Sequence, residues 1–291
     1  MGRKMDLGLR RLTPAVGAVI TGVELNASID GQALAFIREA LNTHGVIFFP
    51  QQDVGVDRLW EFLSDFGTPQ KDDSFATDAD GPQDVRDSDL SPTRKGTAVW
   101  HADSTFLAKP PKITLLRAVS LPACGGDTCW ASMVAAYEGL SEPLRAMIDG
   151  LTAVHSIEPP VARLGDYGDV FAAKFTARHA AQQVHPMVQI HPETGRKALY
   201  VTESCTSRIV ELEPVESRHL LALLFEHIKS PEFAMRWRWT PGDVAMWDNR
   251  AVQHYAVPDY DSERVMQRIV VAGDRPYGPG NASIPADLVS A

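Results

Sequence analysis

Val99-Trp-His-Ala-Asp-Ser-Thr-Phe106 sets a histidine and an aspartate two residues apart, His101 and Asp103. On a strand, alternate side chains share a face, so these two project together while Ala102 turns away. An imidazole and a carboxylate on one face are two ligands of a two-histidine, one-carboxylate metal site, which leaves coordination positions open. A lone His-x-Asp is frequent by chance, and the alternative is a surface histidine beside a turn aspartate. The metal reading constrains the fold strongly, because a third ligand has to be brought back onto this segment from elsewhere in the chain.

The C-terminal part offers that ligand. Trp239-Thr-Pro-Gly-Asp-Val-Ala-Met-Trp-Asp-Asn-Arg-Ala-Val-Gln-His254 holds a Pro-Gly turn and a short apolar run. An Asp-Asn-Arg turn and a second run ending at His254 follow, which reads as a hairpin with His254 at the end of its second strand. Beyond it, Arg264-Val-Met-Gln-Arg268-Ile-Val-Val reads as a further strand, and the even spacing puts both arginines on one face. Two guanidiniums turned inward are costly unless an anion meets them. A dicarboxylate co-substrate would supply that charge.

With these residues in view, the chain resembles the taurine dioxygenase (TauD/TfdA) family of Fe(II)- and 2-oxoglutarate-dependent dioxygenases over almost its whole length. The likeness rests on Gly17-Ala-Val-Ile-Thr-Gly-Val23, Trp100–Phe106, Gly125-Gly-Asp-Thr-Cys-Trp-Ala-Ser132, His191-Pro-Glu-Thr-Gly-Arg196 and Trp237–Arg250 with His254. It implies a mainly β fold with flanking helices, a double-stranded β-helix or cupin-like jelly roll, as a single domain over residues 1–291. It also implies an oxidoreductase that uses 2-oxoglutarate and dioxygen to oxidise, most simply to hydroxylate, a C–H bond, releasing succinate and CO2.

Residue by residue, His101, Asp103 and His254 match the iron ligands and the catalytic centre. Thr128 and Arg264 match the groups that hold the distal carboxylate of 2-oxoglutarate. Arg268 matches an arginine that faces the substrate anion in taurine dioxygenase, and Ser104, beside the ligands, joins the substrate side. Where taurine dioxygenase carries a histidine, a tyrosine and an asparagine, an ungapped alignment gives Asp72, Phe75 and Thr97 here, and Cys205 stands at a pocket phenylalanine. Those departures argue against taurine. They favour another small anionic organic substrate: an alkyl sulfonate, a sulfate ester or an aryloxyalkanoate. Relatives commonly form dimers or tetramers, so a homo-oligomer is expected.

Two other classes remain possible on the residues alone. A zinc hydrolase could use the same triad, but Thr128 and the paired arginines would have no obvious role. A non-catalytic binding protein of cupin type would not need all three ligands.

Composition bounds the rest. At 291 residues the chain suffices for one large domain with a substantial core. A net charge of −9 argues against nucleic acid or an anionic membrane as a general partner. Three cysteines, Cys124, Cys129 and Cys205, show no framework spacing and suggest free thiols in a reducing compartment. The start of the chain carries no signal or spanning pattern, so a cytoplasmic location is the expectation.

The patterning predicts strand, turn, strand over residues 12–25, and a helix capped by Asp30 and running to Asn42. It predicts a buried strand Val46–Phe49, a helix over 57–66 and strands over 113–119 and 128–130. Helical pieces follow over 132–137, 143–149 and 215–228. The acidic stretch of residues 68–96 reads as a solvated loop, residues 158–183 as a lid, and residues from 279 as a tail. His155, His179 and His185 read as surface or supporting groups rather than ligands, and Trp247 as a core residue or a neighbour of the iron.

Overall fold

A computed structural model describes residues 7–70, 83–86, 99–156 and 182–279. The expected lid falls almost wholly outside these residues, as do the tail, His179, Asp72, Phe75 and Thr97.

The chain opens with β1 (Gly8–Arg11), β2 (Ala18–Thr21), α1 (Gly31–His44), β3 (Val46–Phe49) and α2 (Val56–Ser64). Next come β4 (Pro69–Gln70), β5 (Gln83–Arg86), β6 (Ile113–Ser120), β7 (Thr128–Ser132), α3 (Met133–Glu138) and α4 (Glu142–Ile148). Then follow β8 (Thr152–His155), β9 (Gln183–Pro186), β10 (Val188–Ile190), β11 (Lys197–Leu199), β12 (Thr206–Ile209) and α5 (Pro214–Ile228). The chain continues through β13 (Ala234–Trp237), β14 (Val244–Asp248), β15 (Val252–Ala256) and β16 (Val265–Val271).

The main sheet runs β1-β2-β3-β14-β6-β16-β4, with β5 also paired to β16. Facing it are the three-stranded sheets β13-β7-β15 and β12-β8-β9 and the pair β10-β11. The result is a jelly roll, mainly β, with helices flanking the main sheet.

The strands at the centre of the main sheet are buried on both faces, which explains their unbroken apolar runs. In β3, Val46 and Phe48 enter the core between the sheets with Ala245 and Trp247 of β14. Ile47 and Phe49 point the other way, packing with Val244, Met246 and the apolar faces of α1 and α2. Asp30 caps α1 as expected, its Oδ1 accepting from the Ala33 amide at 2.8 Å. Among the described residues, no helix is long and apolar enough to cross a membrane.

Four expectations are corrected. The first strand begins at Gly8, ahead of residue 12, and pairs with β2. The stretch of residues 68–96 is not loop throughout, since β4 and β5 both pair with β16. The segment around His101 is not a strand: His101 forms only an isolated bridge with His254. Finally, β14 and β15 are not a hairpin, because β14 pairs with β3 and β6 while β15 pairs with β7. The Asp-Asn-Arg turn carries the chain from one sheet to the other, and His254 sits at the middle of its strand.

Candidate metal centre

His101 and His254 are joined by two backbone hydrogen bonds, His101 N to His254 O at 3.0 Å and His254 N to His101 O at 2.8 Å. After this bridge the chain turns. Ser104 adopts φ 48°, in the left-handed region, and its carbonyl accepts from the Leu107 amide at 3.0 Å. This turn, rather than strand alternation, swings Asp103 beside the imidazoles. Donor atoms of His101, Asp103 and His254 all lie within 4.8 Å of one another.

The carboxylate is anchored through Oδ2, while Oδ1 faces the two imidazoles and the Arg268 guanidinium. Thr114 of β6 donates to Asp103 Oδ2 at 2.6 Å. Asp103 Oδ1 lies 3.9 Å from His101 Nε2 and 3.6 Å from His254 Nε2. His101 Nδ1 donates to the Val99 carbonyl at 2.7 Å, which leaves Nε2 with its lone pair. His254 Nδ1 is buried without a hydrogen-bond partner, its ring centroid 4.1 Å from that of His101 and 4.8 Å from that of Trp247. Two imidazole nitrogens and a carboxylate oxygen, converging in one largely buried site, fit a divalent first-row metal with positions left for other ligands.

Burial alone would raise the Asp103 pKa. Arg268, both histidines and the Thr114 hydroxyl outweigh it and hold the carboxyl well below its usual range. Burial keeps His254 neutral, with His101 adding to the effect. A neutral histidine and an ionised aspartate are the forms in which these residues bind metal.

Of the other site residues named from sequence, the described ones are Arg268, Ser104, Arg264 and Thr128. Arg268 points inward from β16 with Nη2 2.6 Å from Asp103 Oδ1. Ser104 is buried. Arg264 lies one residue before β16, is 4% exposed, and places Nη2 3.4 Å from Thr128 Oγ1. Trp239 Nε1 also donates to Thr128 Oγ1, at 2.9 Å. A hydroxyl has two lone pairs and one proton, so with both acceptor sites engaged, the Thr128 O–H is left to donate to an incoming anion.

Sequence reasoning missed the groups that fix Asp103. Asn249, in the turn between β14 and β15, accepts from the Asp103 amide at 3.3 Å and from Trp247 Nε1 at 3.0 Å. Its Nδ2 donates to Thr114 Oγ1 at 2.9 Å. The turn is locked by Asp248, which receives Arg250 Nη2 at 2.6 Å and His191 Nε2 at 3.0 Å. The Trp-Asp-Asn-Arg wording could have pointed to Asn249; nothing local marks Thr114.

His155 and His185 are not surface groups. Both are fully buried beneath the Asp103–Leu107 turn, His155 Nδ1 3.0 Å from Thr105 Oγ1 and His185 Nε2 donating to the Leu107 carbonyl at 3.0 Å.

Comparison with known proteins follows the same lines. Residues 8–270 match the family model described as taurine catabolism dioxygenase TauD, TfdA family. The alpha-ketoglutarate-dependent sulfate ester dioxygenase of Pseudomonas putida is 38% identical, over 94% of this chain and 92% of its own. The alkylsulfatase of Acinetobacter baylyi (strain ATCC 33305 / BD413 / ADP1) is 37% identical, over 97% of this chain and 92% of its own. Among solved structures, a taurine dioxygenase from Burkholderia xenovorans superposes with a TM-score of 0.79 at 36% identity, covering 94% of this chain and 93% of that one.

Proposed function

The chain belongs to the taurine catabolism dioxygenase TauD, TfdA family, and from that premise we propose that it oxidises a small sulfate ester at a centre held by His101, Asp103 and His254. The reaction class is that of an Fe(II)- and 2-oxoglutarate-dependent dioxygenase. The observation that carries the site assignment is the buried convergence of three metal-ligating side chains within 4.8 Å, with the Arg268 guanidinium against them.

Fe(II), 2-oxoglutarate and dioxygen together supply the oxidising equivalent that attacks the substrate C–H bond, and 2-oxoglutarate leaves as succinate and CO2. The chain's own residues do the rest. Thr114 and Asn249 hold Asp103 so that a single oxygen faces the metal. Arg264 and the Thr128 hydroxyl receive the far carboxylate of 2-oxoglutarate in a charge-assisted contact that fixes its register. Arg268, which pairs with Asp103 Oδ1 in the metal-free site, would turn its positive charge to the anionic group of the substrate once a metal engages that carboxylate. The aromatic walls from Trp247 and Trp239 limit water at the site.

Sulfate esters are favoured because two relatives at 37% and 38% identity are a named alkylsulfatase and a sulfate ester dioxygenase. An acid at Asp72 and a phenyl ring at Phe75 suit taurine poorly. We further propose that residues 1–291 act as one domain.

The test is succinate release with Fe(II), ascorbate and 2-oxoglutarate across alkyl sulfates, alkyl sulfonates, taurine and aryloxyalkanoates. Alkyl sulfates are expected to give the highest kcat/KM, and His101→Ala, Asp103→Ala and His254→Ala to abolish turnover. Preference for sulfonates or aryloxyalkanoates would overturn the substrate class. Turnover retained in any of the three variants would overturn the triad, and anaerobic hydrolysis without 2-oxoglutarate would make the protein a hydrolase.

A further inference from the structure

Arg264 lies outside the regular pairing of the main sheet. It precedes β16, and the pairing of β16 with β6 slips at its first step, between Val265 and Met266. The guanidinium has contacts to the turn ahead of β7 and to the first residue of that strand. Arg264 Nε donates to the Gly126 carbonyl at 3.1 Å, and Nη2 reaches Thr128. Gly125 and Gly126 both have positive φ, 78° and 73°, so this turn has little intrinsic stiffness.

Its stiffness comes from outside. Asp259, in the segment after β15, accepts from the Gly126 amide through Oδ1 at 2.9 Å. Its Oδ2 takes Arg236 Nη2 at 2.9 Å, and Arg236 Nε donates to Asp127 Oδ2 at 2.6 Å. Arg236 sits on β13 directly opposite Cys129 of β7, so the buttress is anchored in the sheet that carries Thr128. The turn is gripped on both sides of the Gly126 peptide: the amide by Asp259, the following side chain by Arg236.

We propose that Asp259 and Arg236 are positioning residues for 2-oxoglutarate, fixing the Gly126 carbonyl that aims Arg264. The proposal rests on the reading of Arg264 as the group that receives the co-substrate. A bare surface ion pair is the alternative. The side chains of Arg236 and Asp259 are 50% and 43% exposed, and ion pairs that open to water contribute little to stability. That alternative predicts no selective effect on 2-oxoglutarate. The aspartate also shares its charge between a backbone amide and a cation, an arrangement suited to holding a glycine turn.

The experiment measures binding of 2-oxoglutarate to the Mn(II)-loaded protein without oxygen, and KM and kcat with Fe(II). It compares Asp259→Ala, Asp259→Asn and Arg236→Met with Arg264→Ala as reference. Asp259→Ala is expected to weaken 2-oxoglutarate about tenfold in both Kd and KM, the scale of one lost hydrogen bond. Its Mn(II) affinity, its kcat at saturating 2-oxoglutarate and its KM for the organic substrate should stay near the parent values. Asp259→Asn keeps an acceptor for Gly126 and should recover most of the loss; Arg236→Met should fall between.

If Arg264→Ala leaves 2-oxoglutarate binding intact, the reading of Arg264 fails. If Arg264→Ala weakens it but neither Asp259→Ala nor Arg236→Met does, the buttress fails alone. Parallel loss of Mn(II) affinity, kcat and thermal stability would make the pair merely structural. Should Asp259→Ala not fold, Arg236→Met decides.

Discussion

Thr114→Val tests how the metal ligand is held. Valine keeps the shape of threonine and removes the hydroxyl that donates to Asp103 Oδ2 at 2.6 Å and accepts from Asn249 Nδ2 at 2.9 Å. All three residues are buried, so water does not readily replace the lost partners. The bond to the carboxylate is charge-assisted and contributes roughly 1.5–3 kcal/mol, while the orphaned amide donor costs about 1–3 kcal/mol. A total near the middle of these ranges puts the metal-free protein about 4 kcal/mol below the parent. The carboxylate also loses its Oδ2 anchor, so metal affinity should fall by roughly 10–100-fold, the range for losing a hydrogen bond behind a metal ligand.

Calorimetric titration with Mn(II) reads the affinity, and a denaturant melt without metal reads the stability. Thr114→Ser, which keeps the hydroxyl, should restore both. If Thr114→Val loses stability yet binds Mn(II) within about twofold of the parent, the Thr114 contact does not orient the ligand and the reasoning fails.

Acid sensitivity should be traceable in part to His185, whose pKa burial lowers from 6.5 to about 4. Between those values the unfolded chain takes up a proton that the folded chain refuses, so stability is full above about 6.5 and drains away as pH falls toward 4. The loss reaches about 3 kcal/mol; His185→Phe should flatten this arm in urea melts at pH 7.5 and 5, and an unchanged slope would count against it. Gly125→Ala should destabilise by about 2 kcal/mol or more, since φ is 78° and the added methyl meets the Asp259 carbonyl; thermal melting checks this, and a neutral result would mean the turn can shift. Mn(II) at about 100 times its Kd should add about 2.7 kcal/mol of stability by mass action, and Asp103→Ala should remove that gain. A metal-dependent rise that survives in Asp103→Ala would mean that the ion binds elsewhere.

What the sequence disclosed, and what it hid, follows from the range of the interactions involved. Helix α1 was legible because Asp30 and the spacing of Ile37, Ala40 and Leu41 are local signals. So was β3, whose four apolar residues serve cores on both faces. The three proposed ligands stood out as residue types in a family wording, yet the strand geometry inferred for His101 and Asp103 was wrong. His101 and Asp103 meet through a bridge and a left-handed Ser104, and no periodicity reports a turn of that kind. The supposed hairpin failed for a related reason. Two apolar runs around a polar turn look alike whether the strands pair with each other or each joins a different sheet. Thr114 was invisible because its partners, Asp103 and Asn249, are 11 and 135 residues away.

The corner between β14 and β15 explains why such distant residues form one centre. Because the strands lie in different sheets, the turn crosses the mouth of the roll, and each part of it reaches a different ligand. Asn249 accepts from the Asp103 amide and donates to the Thr114 hydroxyl; Trp247, two residues before it, packs against His254. His254, three residues into β15, then pairs its backbone with His101. A hairpin would have spent those backbone groups on its own partner strand, leaving none for His101. The ion pair of Asp248 with Arg250 and the hydrogen bond it accepts from His191 brace the corner without involving the side chains of His101, Asp103 or His254. Stability invested in that corner is therefore invested in the spacing of all three ligands at once. The site can then be pre-formed in a protein whose ligands lie 153 positions apart, from His101 to His254.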